Sequence, residues 1–279
     1  MSSLSVWDIL SHPITMRAFA VGALVSLCLA VMGVILVLKR YAMIGHGLGE
    51  VGFASTAIAA LIGLGGYSLA ISIPLVCLSS ILIMYFDRRS DMGGDVFIGI
   101  FSTVALAVGV IAGRFTDGYS LENGLFGSIY GVSDSYLYAV AALSGVILLT
   151  FVFLYNRLFA VTFDETYARA GSMKADSYQF IISLLTSVAV VLGMRVLGAM
   201  MISSFIIFPA LTARRLCRSF RGMIVGAALS ALVSFSLGML ISALSQLSSR
   251  SLPVGACVVV VSLILMLLAT GFSKLRIKK

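Results

Sequence analysis

Residues 15–38 read TMRAFAVGALVSLCLAVMGVILVL, and this run decides the fold class because it can cross a lipid bilayer as one helix. A bilayer core is spanned by about 20 apolar residues in helical conformation. Arg17 is the only charged residue of the run, and Lys39 and Arg40 follow its end directly. Basic residues at the end of an apolar run are typical of a helix that reaches the cytoplasmic surface.

The rest of the chain repeats this pattern. Of its 279 residues, 60% are hydrophobic and 11% are charged, whereas soluble domains carry about 25% charged residues. We therefore predict an all-α fold, a polytopic membrane helix bundle of about eight or nine transmembrane helices, forming a single transmembrane domain over residues 1–279. The nine candidate spans are Thr15–Leu38, Ile44–Leu64, Tyr67–Tyr85, Gly94–Gly113, Tyr136–Tyr155, Ser177–Met194, Val196–Ala213, Gly222–Ser245 and Pro253–Gly271.

The placement of lysine and arginine predicts the orientation. With nine spans and the N-terminus outside, fifteen of the 19 basic residues fall in inside loops and four fall outside. This bias predicts an N-out, C-in protein of the cytoplasmic (inner) membrane. The net charge of +8 therefore marks loops between spans, and it does not form the polar basic face that a nucleic-acid-binding protein presents. We expect lipid, and no nucleic acid, as a partner.

Two classes of catalytic site are excluded by the residues present. No lysine follows a glycine anywhere in the chain, so the phosphate-binding loop of P-loop ATPases is absent. A serine hydrolase needs a base held against its nucleophile, and Ser55, the serine nearest to His46, lies nine residues further along the same predicted helix. We expect neither an enzyme nor a bound cofactor. ATP hydrolysis would require a separate chain.

The segment KRYAMIGHGLGEVGF, residues 39–53, carries the candidate metal ligands. His46 and Glu50 are four residues apart and so share one face of a helix. Glu50 would lie about 15 Å of helix rise beyond Arg40, at a depth where an ionisable side chain is a candidate functional group. Imidazole and carboxylate suit zinc, manganese or iron. Alternatively, the pair only locks two helices together. Four glycines leave room for an ion or a partner helix: Gly45, Gly47, Gly49 and Gly52.

The inner loop over residues 156–176 contains a second candidate functional segment. Asp164 and Glu165 favour the start of a helix, and Gly171 can end it. A short helix in a cytoplasmic loop is a suitable docking element for a soluble ATPase, and an amphipathic connector would have the same local pattern.

Five sequence blocks in one order resemble a known family, the permease subunits of zinc, manganese and iron ABC importers. The resemblance extends from about Pro13 to Gly271. The blocks are VLKRYAMIGHGLGEVGF (37–53), LFGSIYGVSDSYL (125–137), FAVTFDETYARAGSMKA (159–175), LGAMMISSFIIFPALTARRL (197–216) and LPVGACVVVV (252–261). The first block departs from the family pattern, which places Asp and then His where this chain has His46 and then Glu50.

The resemblance implies an ABC importer permease fold and a divalent metal, Zn²⁺ or Mn²⁺ and possibly iron, as cargo moved by alternating access. It implies a second permease copy or paralogue, ABC ATPase subunits in the cytoplasm and an extracytoplasmic metal-binding protein. His46 and Glu50 become metal-pathway residues. The implied ATPase-coupling residues are Asp164, Glu165, Tyr167, Ala168, Arg169 and Gly171. The sequence leaves open which metal is carried, whether the dimer is of like chains, and two other functions: import of a chelated metal or other organic cargo, and a non-transporting membrane scaffold.

Overall fold

The fold of the chain, given by a computed structural model, is described over residues 13–89, 94–116, 120–127, 134–199, 201–247 and 252–277. Within these ranges the regular structure is helical, with a short 3-10 turn at Gly65–Tyr67. This confirms the predicted all-α class. The α-helices are α1 Pro13–Leu38, α2 Ile44–Leu61, α3 Ser68–Arg89, α4 Gly94–Arg114, α5 Leu121–Phe126, α6 Asp134–Phe163, α7 Glu165–Ala170, α8 Ala175–Leu197, α9 Ile202–Leu216, α10 Phe220–Leu247 and α11 Val254–Ile277.

Helix length separates the nine predicted spans into two groups. Seven helices of the described ranges are long and apolar enough to cross a membrane, namely α1, α3 with its preceding 3-10 turn, α4, α6, α8, α10 and α11. The second and seventh predicted spans fall on α2 and α9, which have 18 and 15 residues. At 1.5 Å per residue, α9 is about 22 Å long, less than the hydrocarbon thickness of about 30 Å. The N-out, C-in orientation stays a prediction.

Burial places α1 and α8 at the centre of the bundle. In each of these helices 72% of an 18-residue apolar stretch is buried, against 22–39% in the other five candidate spans. The outer faces are apolar, as contact with lipid requires. On α6, for example, Leu149, Val152 and Phe153 are 60%, 68% and 84% exposed.

Helix α2 packs inside this bundle, and its glycines allow it to lie very close to the neighbouring elements. A side chain at Gly45 would overlap Ile206 of α9, and one at Gly47 would press on Ile98 of α4. At Gly49 a Cβ atom would lie 2.8 Å from the carbonyl oxygen of Ala199, and at Gly52 it would overlap the sulfur of Met194. Small residues allow such approach between membrane helices. The space beside these glycines is therefore filled by neighbouring elements of the same protomer, and this decides between the two uses considered for them.

The chain is interrupted between α8 and α9, where a continuous span over Val196–Ala213 was predicted. Helix α8 continues to Leu197, Gly198 adopts a left-handed φ of 88°, and α9 begins at Ile202. Non-helical backbone at membrane depth is tolerated where protein surrounds it. Here Gly127, which follows α5, approaches so closely that a Cβ atom on it would lie 2.6 Å from the Gly198 nitrogen. The prediction of an unbroken seventh span was wrong.

The boundary between span and inner loop also differs from the prediction. A span over Tyr136–Tyr155 was expected, but α6 continues as one helix to Phe163. The first part of the 156–176 segment is therefore helical. The short helix α7 follows directly after Asp164.

Candidate metal site and coupling helix

His46 and Glu50 form a contact within the first two turns of α2. The Nε2 atom of His46 lies 3.4 Å from Oε1 of Glu50. The two side chains differ in burial, since 35% of the imidazole is exposed but only 5% of the carboxylate. The pair therefore has a buried acidic end and an imidazole that reaches the protomer surface.

Ser102 of α4 completes the surroundings of the carboxylate. Its hydroxyl donates a hydrogen bond to Oε2 of Glu50, the oxygen that His46 does not contact. Ser102 is itself 7% exposed. A buried carboxylate is costly unless its oxygens have polar partners, and these two contacts supply one partner to each oxygen. The geometry fixes the orientation of the carboxylate.

The pair lies closer to the end of its helix than the sequence suggested. Residues 39–43 form turns, and α2 begins only at Ile44. The rise from the start of the helix to Glu50 is therefore about 9 Å, in place of the expected 15 Å beyond Arg40. A rise of 15 Å would require a continuous helix from Arg40, whereas the chain turns before Ile44.

His46 and Glu50 offer one imidazole and one carboxylate as possible metal ligands. No cluster of three or more His, Cys, Asp or Glu side chains capable of holding a metal occurs within the described ranges. Closed zinc sites use four ligands. One protomer therefore provides a partial, open ligand set, which suits transient contact with an ion better than permanent storage.

The predicted coupling helix is present as α7, Glu165–Ala170. The side chain of Asp164 accepts a hydrogen bond from the backbone nitrogen of Tyr167 at 2.8 Å, so Asp164 is the N-cap as expected. Gly171 ends the helix, although with an ordinary φ of −78°, and Ser172 takes the left-handed φ of 60°. Ala168 is 2% exposed and packs in a small apolar cluster with Val161 and Ala175.

The outer face of α7 is available for a partner, because Tyr167 is 75% exposed. Beside it, an Nη atom of Arg169 lies 2.8 Å from Glu165 and 2.8 Å from Asp176 of α8. The hydrogen bond with Glu165, followed by the charge of Asp176, raises the pKa of the Arg169 guanidinium above its usual value. The ion pair with Asp176 links the exposed face of α7 to the start of α8.

Sequence reasoning did not identify Ser102 or Lys39 as partners of these groups. A serine in an apolar span carries no distinguishing signal, because serines recur throughout the spans of this chain. Lys39 was counted only as an orientation charge. Its side chain is 8% exposed, and its Nζ lies 3.6 Å from Oε2 of Glu165.

Comparison with known proteins places this architecture in a family. The sequence model of the ABC 3 transport family matches residues 11–273 of this chain. The manganese transport system membrane protein MntC of Halalkalibacterium halodurans is 27% identical over 277 residues, which are 98% of this chain and 92% of that protein. The high-affinity zinc uptake system membrane protein ZnuB of Haemophilus influenzae is 24% identical over 228 residues, 81% of this chain and 87% of that protein.

The fold agrees with this assignment. The solved structure of PsaBC from Streptococcus pneumoniae in complex with Fab superimposes with a TM-score of 0.84 at 24% identity, covering 97% of this chain and 98% of that chain. The seven long apolar helices and these relatives identify a multi-pass protein of the cytoplasmic (inner) membrane. The chain belongs to the ABC 3 transport family, as a membrane-spanning permease subunit.

Proposed function

We propose that this permease imports a divalent transition metal, Zn²⁺ or Mn²⁺ and possibly iron, by alternating access, with His46 and Glu50 as transient ligands along the path. One observation carries the proposal: Glu50 is an almost fully buried carboxylate held between an imidazole and a hydroxyl. An ionisable group inside a membrane bundle is a candidate functional group, and ion paths are one of the functions that such groups serve. The relatives named for manganese and zinc transport support a metal as the cargo.

A second permease copy or paralogue would complete the site. Two ligands from one chain complete neither the four positions of Zn²⁺ nor the octahedral set of Mn²⁺. The imidazole of His46 reaches the protomer surface, so a symmetry-related pair could supply two further ligands at a shared axis. We propose that the whole chain, residues 1–279, acts as one permease domain within such a dimer. An extracytoplasmic metal-binding protein would deliver the ion.

The energy would come from cytoplasmic ABC ATPase subunits docked on α7 and its flanks, residues Asp164–Lys174. The exposed ring of Tyr167 offers a contact for such a partner. The buried Ala168 and the ion pairs of Arg169 would transmit its movement to α6 and α8.

Uptake by the intact importer in liposomes tests the metal path. His46→Ala combined with Glu50→Ala should abolish uptake of Mn²⁺ and Zn²⁺ while the permease still co-purifies with its ATPase, because the change removes the ligands and leaves α7 intact. Normal uptake by the double variant would remove the assigned role. An importer whose cargo is a chelated metal would be unaffected by competing free Mn²⁺ or Zn²⁺, and this result would redirect the proposal to an organic cargo.

A further inference from the structure

Lys39 connects the turn between α1 and α2 to the coupling helix. Its Nζ atom lies 3.6 Å from Oε2 of Glu165 on α7 and donates to Oε1 of Gln179 on α8 at 3.4 Å. The lysine side chain is 8% exposed, and Gln179 is 4% exposed. An ammonium group this buried requires polar partners. Lys39 therefore joins three separate elements of the bundle at one point.

Glu165 contacts two basic side chains, Arg169 and Lys39, and these connect it to different parts of the bundle. Arg169 contacts it at 2.8 Å from within α7 itself, and Arg169 also reaches Asp176 on α8. Those contacts link α7 to α8. The contact with Lys39 instead connects α7 to the end of α1. Lys39 also contacts Gln179 of α8, which lies 140 positions later in the chain.

The turn that follows Lys39 is firmly held and leads directly into the metal-path helix. Arg40 adopts a left-handed φ of 64°. The hydroxyl of Tyr41 donates a hydrogen bond to the carboxylate of Asp87 on α3. The carbonyl of Tyr41 accepts from the nitrogen of Ile44 at 3.1 Å, and the nitrogen of His46 donates to the carbonyl of Met43 at 3.0 Å. These contacts connect the turn after Lys39 to the first turn of α2.

We propose that Lys39 is a positioning residue that couples movement of α7 to α2, and so links the ATPase docking element to His46 and Glu50. This inference rests on the proposed function. This role requires no contact of Lys39 with the ion or with the ATPase. It acts through Glu165 on one side and through the α1–α2 turn on the other. Loss of the link should leave ATP hydrolysis running without a matching movement of metal.

The test measures the ratio of Mn²⁺ transported to ATP hydrolysed by the complete importer in liposomes. Lys39→Met keeps the unbranched chain and removes the charge, and Glu165→Gln removes the partner. Each should lower the ratio about tenfold, within the range usual for coupling between sites. Because Lys39 acts through Glu165, whereas Glu165 also contacts Arg169, the double variant should lose no more than Glu165→Gln alone. Lys39→Arg should retain most of the ratio.

Tyr178→Phe is the matched control, since it removes the hydrogen bond that Arg157 donates to the Tyr178 hydroxyl and leaves Lys39 and Glu165 unchanged. Its ratio should stay near that of the wild type. An unchanged ratio in an intact Lys39→Met complex would overturn the inference, and so would additive losses in the double variant. A complex lost in both single variants would also overturn it, because the pair would then serve assembly. A wild-type importer that moves neither Mn²⁺ nor Zn²⁺ would instead refute the proposed function, and this inference with it.

Discussion

Replacement of Ser102 by alanine tests whether the orientation of Glu50 matters for metal binding. Ser102 donates to one carboxylate oxygen, and His46 contacts the other. A hydrogen bond to a charged group is worth about 1.5–3 kcal/mol. Loss of a residue that orients a metal ligand typically weakens metal affinity about 10–100-fold, which corresponds to roughly 1.4–2.7 kcal/mol. The two ranges agree, so we expect Ser102→Ala to raise the apparent Kd by one to two orders of magnitude.

The assay is equilibrium dialysis of the purified permease–ATPase complex against Mn²⁺ or Zn²⁺, without the delivery protein. Ser102→Thr keeps the hydroxyl and should bind nearly as the wild type. Ser26→Ala is the matched control, because Ser26 is fully buried and its hydroxyl has no hydrogen-bond partner among the described residues. If Ser102→Ala binds both metals as the wild type does, the serine does not orient a ligand and the reasoning fails.

Two further predictions concern the helix break and the coupling helix. Gly198→Ala should destabilise the permease by at least about 1–2 kcal/mol, because a left-handed φ is strained for a residue with a Cβ atom. Thermal aggregation of the purified permease measures this loss of stability. Gly145 faces open space, so Gly145→Ala should leave stability unchanged. Ala168→Pro removes the hydrogen bond from the Ala168 nitrogen to the Asp164 carbonyl and should cost α7 about 3 kcal/mol, releasing the ATPase on co-purification. Ser172→Gly should keep the ATPase bound, and an Ala168→Pro complex that stays together would argue against docking on α7.

Local chemistry explains which features could be predicted from the sequence. Apolar runs of span length predict the long helices correctly, because the backbone of a segment in lipid must satisfy its own hydrogen bonds and does so as a helix. The limits of α7 followed from Asp164 and Gly171, whose roles depend only on neighbouring residues. The interruption at Gly198 was missed because apolar residues continue across it, and a glycine in a membrane helix is common.

The surroundings of the candidate site could not be predicted in the same way. The spacing of His46 and Glu50 predicts their contact, since both lie on one helix. Ser102 is 52 positions from Glu50, and Glu165 is far from Lys39 in sequence. Such contacts depend on which helices pack together. The role of the pair in metal transfer and the docking of an ATPase stay predictions that the experiments above address.

The glycine contact between Gly127 and Gly198 has a consequence for how this architecture can diversify. Helix α8 rises about 35 Å from its start beside α7, so this contact lies at the far end of the bundle from the coupling helix. There the chain is joined main chain to main chain, with φ values of 80° and 88° that favour glycine. At either position a Cβ atom would overlap backbone atoms of the other segment. Substitutions that preserve this fold must therefore fall on the positions around these two glycines.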